Sequence, residues 1–316
     1  MISSPICELL GIKYPIFQGG MAWIADGALA AAVSNAGGLG IITAMNAGEE
    51  HLVNEINIAK SLTDKPFGVN IMLMSPFASR AAEIVVEQGV KVVTTGAGSP
   101  KKYMQMWKDA GIKVIPVIAS VAMAKSAVRA GADAVVAEGQ ESGGHIGELT
   151  TMSLVPQVCS AVDVPVIAAG GIADGRGFAA SLMLGACGVQ MGTRFLCAEE
   201  CNVHQTYKDM VLKASDISTV TTGRRFAGNT CRCIKNQFAR DFLKTEYLPE
   251  TTADDVAELG VGALRKAAVE GDKSEGCFLA GQISGLVNEI QPAKEIIEEV
   301  INDAETLLKG ADKWVK

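Results

Sequence analysis

Aromatic side chains are scarce in this chain: they make up 5% of 316 residues, while hydrophobic residues make up 48%. A core with so little Phe, Tyr and Trp is filled by Ala, Val, Ile, Leu and Met, which favours layered α/β packing. Excess positive charge is also absent. Lys and Arg number 28 against 35 Asp and Glu, a net charge of −7, and a chain so balanced is not a nucleic-acid binder as a whole. No apolar run approaches the length of a membrane span, so no membrane association is expected. The opening MISSPICELLGIKYP lacks a charged segment followed by a long apolar core, so no signal peptide is predicted. A soluble, cytoplasmic protein is the expectation.

Paired metal-ligand spacing is missing too. Eight cysteines are scattered at Cys7, Cys159, Cys187, Cys197, Cys201, Cys231, Cys233 and Cys277. Cys231-Arg232-Cys233 and the Cys197/Cys201 pair do not follow the C-x2-C spacing of zinc sites, and free thiols with no metal are predicted. Histidine is limited to His51, His145 and His204. The first and last fall in predicted helices and read as surface residues.

What the chain has is glycine, 34 residues, and its placement is informative. Pro165 to Phe195 reads strand, glycine turn, helix, strand, glycine turn. Val166–Ala169 is a short apolar run, as expected of a strand buried on both faces. It meets Gly170-Gly171 at once. Asp174 is placed to cap the following helix and Gly185 to end it. A second strand, Gly188–Met191, runs into Gly192-Thr193. In a (βα)8 barrel the turns after strands 7 and 8 are the usual place for a phosphate group. Glycine lets the backbone approach the phosphate oxygens.

The same strand–turn–helix unit recurs along the chain. Eight strands are predicted to begin near Pro15, Leu39, Phe67, Lys91, Lys113, Ala134, Pro165 and Gly188. Their spacing is mostly about 21 to 28 residues, one strand, one helix and two short loops. Eight units in series suit a closed parallel barrel. The predicted fold is therefore a (βα)8 TIM barrel with a small, mainly helical C-terminal lid domain. The expected organisation is a barrel over 1–199, a helical lid or substrate domain over 200–275, and helices returning to the barrel over 276–316. Within the lid, Thr221–Lys235 reads as a Gly- and Arg-rich connection and Asn236–Tyr247 and Thr252–Glu270 as helices; Cys277–Ile290, beyond it, also reads as a helix.

The strand ends carry neutral hydrogen-bonding groups: Gln18-Gly19-Gly20-Met21, Asn70, Thr94 to Ser99, Ser120 and Glu138. There is no carboxylate cluster for a divalent metal and no Ser-His-Asp arrangement. Such groups suit the edge of a flat heteroaromatic ring whose phosphate tail lies in the glycine turns, and flavin mononucleotide (FMN) fits both requirements. The loop EGQESGGHIGELT extends the end of strand 6, on the catalytic face. It carries His145 between glycines. An imidazole there is the candidate catalytic residue, able to move a proton near neutrality.

QGGM, Asn70, EGQESGGHIG, AAGGIADG and QMGTRF, in this order and spacing, resemble the nitronate monooxygenase superfamily of FMN-binding barrels. Within it the chain is most similar to the FMN-dependent enoyl-acyl-carrier-protein reductases of type II. TTGRRFAGNTCR and AGQISGLVNEIQPAKEIIEE extend the similarity over nearly the whole chain. The resemblance implies phosphate binding by Gly170, Gly171, Gly192 and Thr193. It implies ring contacts from Gly20, Met21, Asn70, Ser120, Glu138, Gly143 and Gly144, with His145 beside the ring. It implies reduction of a trans-2-enoyl thioester by NADH, with Gly96 and Ser99 on the substrate side. Reductases of this group are often stimulated by monovalent cations, for which the sequence shows no site. Nitronate oxidation is the alternative activity.

Arg224, Arg225, Arg232, Lys235 and Arg240 form a basic island on an acidic chain. An acyl carrier protein is acidic, and Arg224 and Arg225 are the candidate docking residues; a solvated face or a hold on NADH phosphates are the other readings of the same charges. A homodimer is expected.

Overall fold

The computed structural model describes residues 2–44, 48–226, 228 and 230–315. Its barrel strands are β1 (Ile16–Gln18), β2 (Gly40–Thr43), β3 (Phe67–Met72), β4 (Val92–Gly96), β5 (Lys113–Ile118) and β6 (Val135–Glu138). After a two-residue strand in the loop, β7 (Gly144–His145), come β8 (Val166–Ala169) and β9 (Gly188–Met191). The order around the sheet is β1-β9-β8-β6-β5-β4-β3-β2, with parallel pairing throughout. A parallel bridge between Phe17 and Leu39 closes the ring. Gln18 N–H donates to the Leu39 carbonyl at 3.0 Å and Leu39 N–H to the Ile16 carbonyl at 2.9 Å. The buried Gln18 side chain adds to the seam, its Oε1 accepting from Ile41 N–H at 3.0 Å. This is the TIM barrel that the strand spacing predicts.

Side chains alternate across each strand. Phe17, Ile41, Val92, Ile115, Val136 and Ile167 point inward and fill the barrel. Their neighbours Ile42, Val69, Val93 and Val114 point outward under one set of helices, and Val135, Ala168 and Val189 under the other. Polar caps set where the helices begin. Asp26 accepts from Leu29 N–H at 2.9 Å, Ser120 from Met123 N–H at 3.2 Å, and Asp174 from Arg176 and Gly177 N–H at 2.9 and 3.2 Å.

Beyond the barrel, three expectations need correction. Thr221–Lys235 is not a plain connection. It contains most of an antiparallel hairpin, β10 (Thr219–Thr222) and β11 (Cys231–Ile234), and β11 also pairs with β7. The β-branched run at Thr219–Thr222 is the physical reason. Thr252–Glu270 is broken: a helix ends at Gly260, Gly262 turns left-handed at φ 74, and Lys266–Glu270 forms a single π turn. Cys277–Ile290 is not a helix either. It is an extended segment with only a 3-10 stretch at Gln282–Leu286. The last helix, Ala293–Lys309, returns to the barrel wall against Gly175–Met183.

Two glycines separate packing from propensity. A Cβ on Gly40 would lie 1.9 Å from the Ala30 carbonyl oxygen, where the helix Gly27–Asn35 presses on β2. Gly260 ends a helix with nothing within 4 Å of its would-be Cβ. Gly40→Ala is expected to destabilise by about 3 kcal/mol in urea melts, at the upper end of overpacking costs. Gly260→Ala is expected to stabilise by about 0.5–1 kcal/mol.

Candidate active site

The floor of the barrel mouth is a polar layer. Alternation from the apolar interior carries Asn70, Thr94, Glu138 and Gln190 inward at the carboxyl ends of their strands. Thr94 Oγ1 donates to Asn70 Oδ1 at 3.0 Å, which fixes the amide with its NH2 beside Gly20. Gly20 lies flat on that amide: a Cβ there would sit 2.4 Å from Asn70 Cβ. A Cβ on Gly19 would sit 3.3 Å from the Gln190 side chain.

Glu138 and His145 are shifted toward neutrality. Burial pushes the Glu138 carboxyl up to about 7, against a smaller opposing effect from its hydrogen bond with Ser142. Desolvation lowers the His145 pKa, which favours the uncharged imidazole. His145 lies on β7, in register with Cys231 of β11, and Gly144 pairs with Arg232. Its side chain is exposed at the mouth and has no hydrogen-bond partner among the described residues. Arg232 is only 5% exposed and ties this small sheet to the barrel. Its Nε donates to the Gln140 carbonyl at 3.1 Å and Nη1 to Thr219 Oγ1 at 3.3 Å.

The glycine turns after β8 and β9 lie side by side, since the two strands are hydrogen-bonded neighbours. Gly170 and Gly171 adopt φ 93 and 74, a backbone only glycine takes freely. Gly192 faces Met21, whose Sδ would be 3.6 Å from a Cβ on that glycine. Thr193 Oγ1 accepts from Gly281 N–H at 2.9 Å and keeps its own proton for a second partner. The residues fit the phosphate and ring of FMN: a side-chain-free cradle at β8 and β9, a fixed amide edge at Asn70, and a carboxyl near its midpoint at Glu138.

Contacts join most of the predicted residues into one rim. They run from Asn70 to Gly20, from Met21 to Gly192, and from Thr193 to Gly281. Gly143 faces Ala280, and Ser142 lies against both Gly170 and Glu138. Ser120 is spent partly on its helix cap, and a Cβ on Gly147 would lie 2.6 Å from Ala119 Cβ beside it. Gly96 and Ser99 sit apart from the phosphate side, on β4 and the exposed turn that follows it. The basic island disperses. Arg225 Nη1 donates to the Glu246 and Leu248 carbonyls at 2.8 and 2.5 Å, and Lys235 Nζ to the Ile217 carbonyl at 2.6 Å. Arg224 is exposed near the tip of the hairpin, where Thr230 accepts from Ile146 N–H at 3.1 Å.

Three contributors escape the sequence reading. Gln190 is the single polar residue of its strand, and period-two alternation marks it as inward. Glu141 accepts from Thr151 N–H at 3.0 Å and anchors the His145 loop to the next helix. The segment Leu279–Gln282 crosses the rim, and Gly281 and Gly285 are the signals against reading it as helix. Among the described residues no group of His, Cys, Asp and Glu is arranged to hold a metal ion, and no helix is long and apolar enough to cross a membrane.

Comparison with known proteins agrees with this architecture. The model of the nitronate monooxygenase family matches residues 3–85 and 77–303. A Mycobacterium tuberculosis octahydro-1H-indene-4-carboxyl-CoA dehydrogenase is 34% identical, over 100% of this chain and 99% of its own. A probable nitronate monooxygenase of Staphylococcus saprophyticus is 35% identical over 97% and 99%. Among solved structures, FabK from Thermotoga maritima superposes with a TM-score of 0.96 at 47% identity over 100% of both chains. A nitroalkane oxidase from Streptomyces ansochromogenes does so at 0.83 and 29%, over 96% and 99%. The family match runs through the barrel and the segment that crosses its rim alike, and the chain belongs to the nitronate monooxygenase family.

Proposed function

We propose that this oxidoreductase reduces trans-2-enoyl thioesters on acyl carrier protein, with FMN as cofactor and NADH as the source of hydride. The observation that carries the reading is the full-length similarity to FabK at 47% identity, against 34–35% for the curated relatives named for nitronate or acyl-CoA chemistry. The acyl-CoA relative adds support for a thioester substrate.

In this proposal Gly170, Gly171, Gly192 and Thr193 hold the cofactor phosphate. Gly20, Met21, Asn70, Ser120, Glu138, Gly143 and Gly144 line its ring. FMN, when bound, supplies the two-electron carrier between NADH and the enoyl β-carbon. His145 stands above the mouth as a neutral imidazole with one ring proton, available to the thioester oxygen or the α-carbon. Glu138 offers an O–H donor below about pH 7 and a carboxylate above it. Arg224, exposed near the hairpin tip, is the cation offered to an acidic carrier protein.

A second reading, oxidation of alkyl nitronates by O2, shares every flavin-binding residue and is favoured by the probable nitronate monooxygenase relatives. Anaerobic NADH should bleach the flavin spectrum of the reconstituted protein, and crotonyl thioester should restore it. His145→Ala should keep the spectrum but lower kcat by about 10²–10⁴-fold. No NADH oxidation with crotonyl thioester, together with oxygen uptake on alkyl nitronate, would replace the first reading with the second.

Glu138 sets a pH signature. Its folded pKa is raised, so the folded chain holds this proton more tightly than the unfolded chain. Stability from this group is full below about 4.5 and is lost as pH rises through about 7. Urea melts of Glu138→Gln should show the variant gaining on the wild type between pH 5 and pH 8; parallel pH profiles would refute the assignment. Arg224→Glu should raise KM for enoyl-acyl-carrier protein about fivefold or more and leave KM for crotonyl-CoA unchanged.

A further inference from the structure

The segment Leu279–Gln282 touches the glycine turn after β9, the His145 loop and the hairpin strand β11. On one side Gly281 N–H donates to Thr193 Oγ1 at 2.9 Å, at the glycine turn after β9. On the other side the buried Tyr207 hydroxyl donates to the Leu279 carbonyl at 2.7 Å, and its ring meets Phe278 edge-on, centroids 4.9 Å apart. Between these anchors the segment meets both supports of His145. Gln282 N–H donates to the Glu141 carbonyl at 2.8 Å, at the base of the His145 loop. Ala280 fits under Gly143 so closely that a Cβ on Gly143 would lie 2.6 Å from the Ala280 backbone. Leu279 bridges Cys233, and Ile234 N–H donates to the Phe278 carbonyl at 2.8 Å, so the segment extends the sheet that carries β7.

We infer that Leu279–Gln282 is a strap, gripped by Thr193 and Tyr207, that makes filling of the phosphate turn and placement of the His145 strand a single event; Thr193 and Tyr207 are positioning residues for His145. The inference rests on the flavin reading for the identity of the phosphate. An anion that accepts a hydrogen bond from the Thr193 hydroxyl polarises the O–H and increases the electron density on Oγ1. It thereby strengthens the bond from Gly281 N–H. The backbone of the strap has no soft side chain at Gly281 to absorb a shift, since a Cβ there would lie 2.7 Å from the Glu141 carbonyl. A tightened strap therefore acts on Glu141, Gly143 and β11 together. By linkage the reverse holds, and a fixed His145 strand favours the anion.

Hydrogen–deuterium exchange on the full chain tests this. FMN should slow exchange of the amides of residues 144–146 and 231–234 by about tenfold, within the usual range for coupled sites. Riboflavin, the same ring without the phosphate, should leave them at the rate of the free protein. At saturating FMN, Thr193→Val should abolish the slowing and Thr193→Ser should restore it. Slowing confined to residues 170–173 and 192–195, equal slowing by riboflavin, or wild-type behaviour of Thr193→Val would overturn the inference. If FMN fails to bind at all, seen as unquenched flavin fluorescence, the flavin reading falls instead. Tyr207→Phe in the ligand-free protein then decides the coupling. Exchange at residues 144–146, 231–234 and 193–196 should quicken together; quickening at residues 278–280 alone would refute it.

Discussion

Two stretches of backbone touch at the mouth of the barrel with no side chain between them. Residues 139–143, leaving β6, cross residues 279–282, which follow the Phe278 contact with β11. Gly143 and Gly281 make the crossing possible, because a Cβ on either would enter the other segment's main chain. The placement of His145 depends on this crossing. β7 is two residues long, too short to hold itself, and it is positioned by its ladder to β11 and by the strap beneath. The barrel supplies the polar floor, and β11 with residues 279–282 supplies the orientation of the imidazole above it.

The floor follows from an ordinary property of strands. Period-two alternation sends Phe17, Val136 and Ile167 into the barrel, and two residues later along β6 the same alternation delivers Glu138. The residue is thus carried into low-dielectric surroundings by its strand, and its proton affinity rises as a result. Asn70 arrives in the same way on β3 and is held by Thr94 on β4. A floor whose carboxyl is protonated below about pH 7, and an imidazole shifted toward its uncharged form, make a mouth where little fixed charge opposes a flat, polar-edged ring.

Legibility in the sequence tracks how local the determining physics is. The barrel is legible because each strand is a short apolar run between glycine or proline and a helix, and such runs are set by neighbours a few residues away. The turn Gly170-Gly171 is legible for the same reason. The hairpin at Thr219–Ile234 is harder to see. Its second strand, Cys231–Ile234, alternates a cationic residue between two thiols, and its partner is His145, far away in the chain. The strap is harder still. Gly281 and Gly285 argue against a regular helix over Ala280 to Leu286, but its course over the rim is set by the close approach to Gly143 and the hydrogen bond from Gln282 N–H to the Glu141 carbonyl, contacts that exist only once the barrel has formed. The basic island shows the limit of counting charges. Arg225, Arg232 and Lys235 hold backbone carbonyls, and no sum over a window distinguishes a guanidinium that does so from one that waits for a partner.

The ring closes by joining its first stave to its last: β1 pairs with β9 on one side and meets Leu39 on the other. During synthesis β1 leaves the ribosome long before β9 exists. At roughly 5–20 residues per second, it waits on the order of ten seconds or more for its partner. Through that interval Ile16 and Phe17, both without solvent exposure in the finished fold, have a partner on the Leu39 side alone. The nascent chain therefore spends its vulnerable period with an open, sticky edge, and production of this protein depends on what shelters that edge until Met191 has emerged.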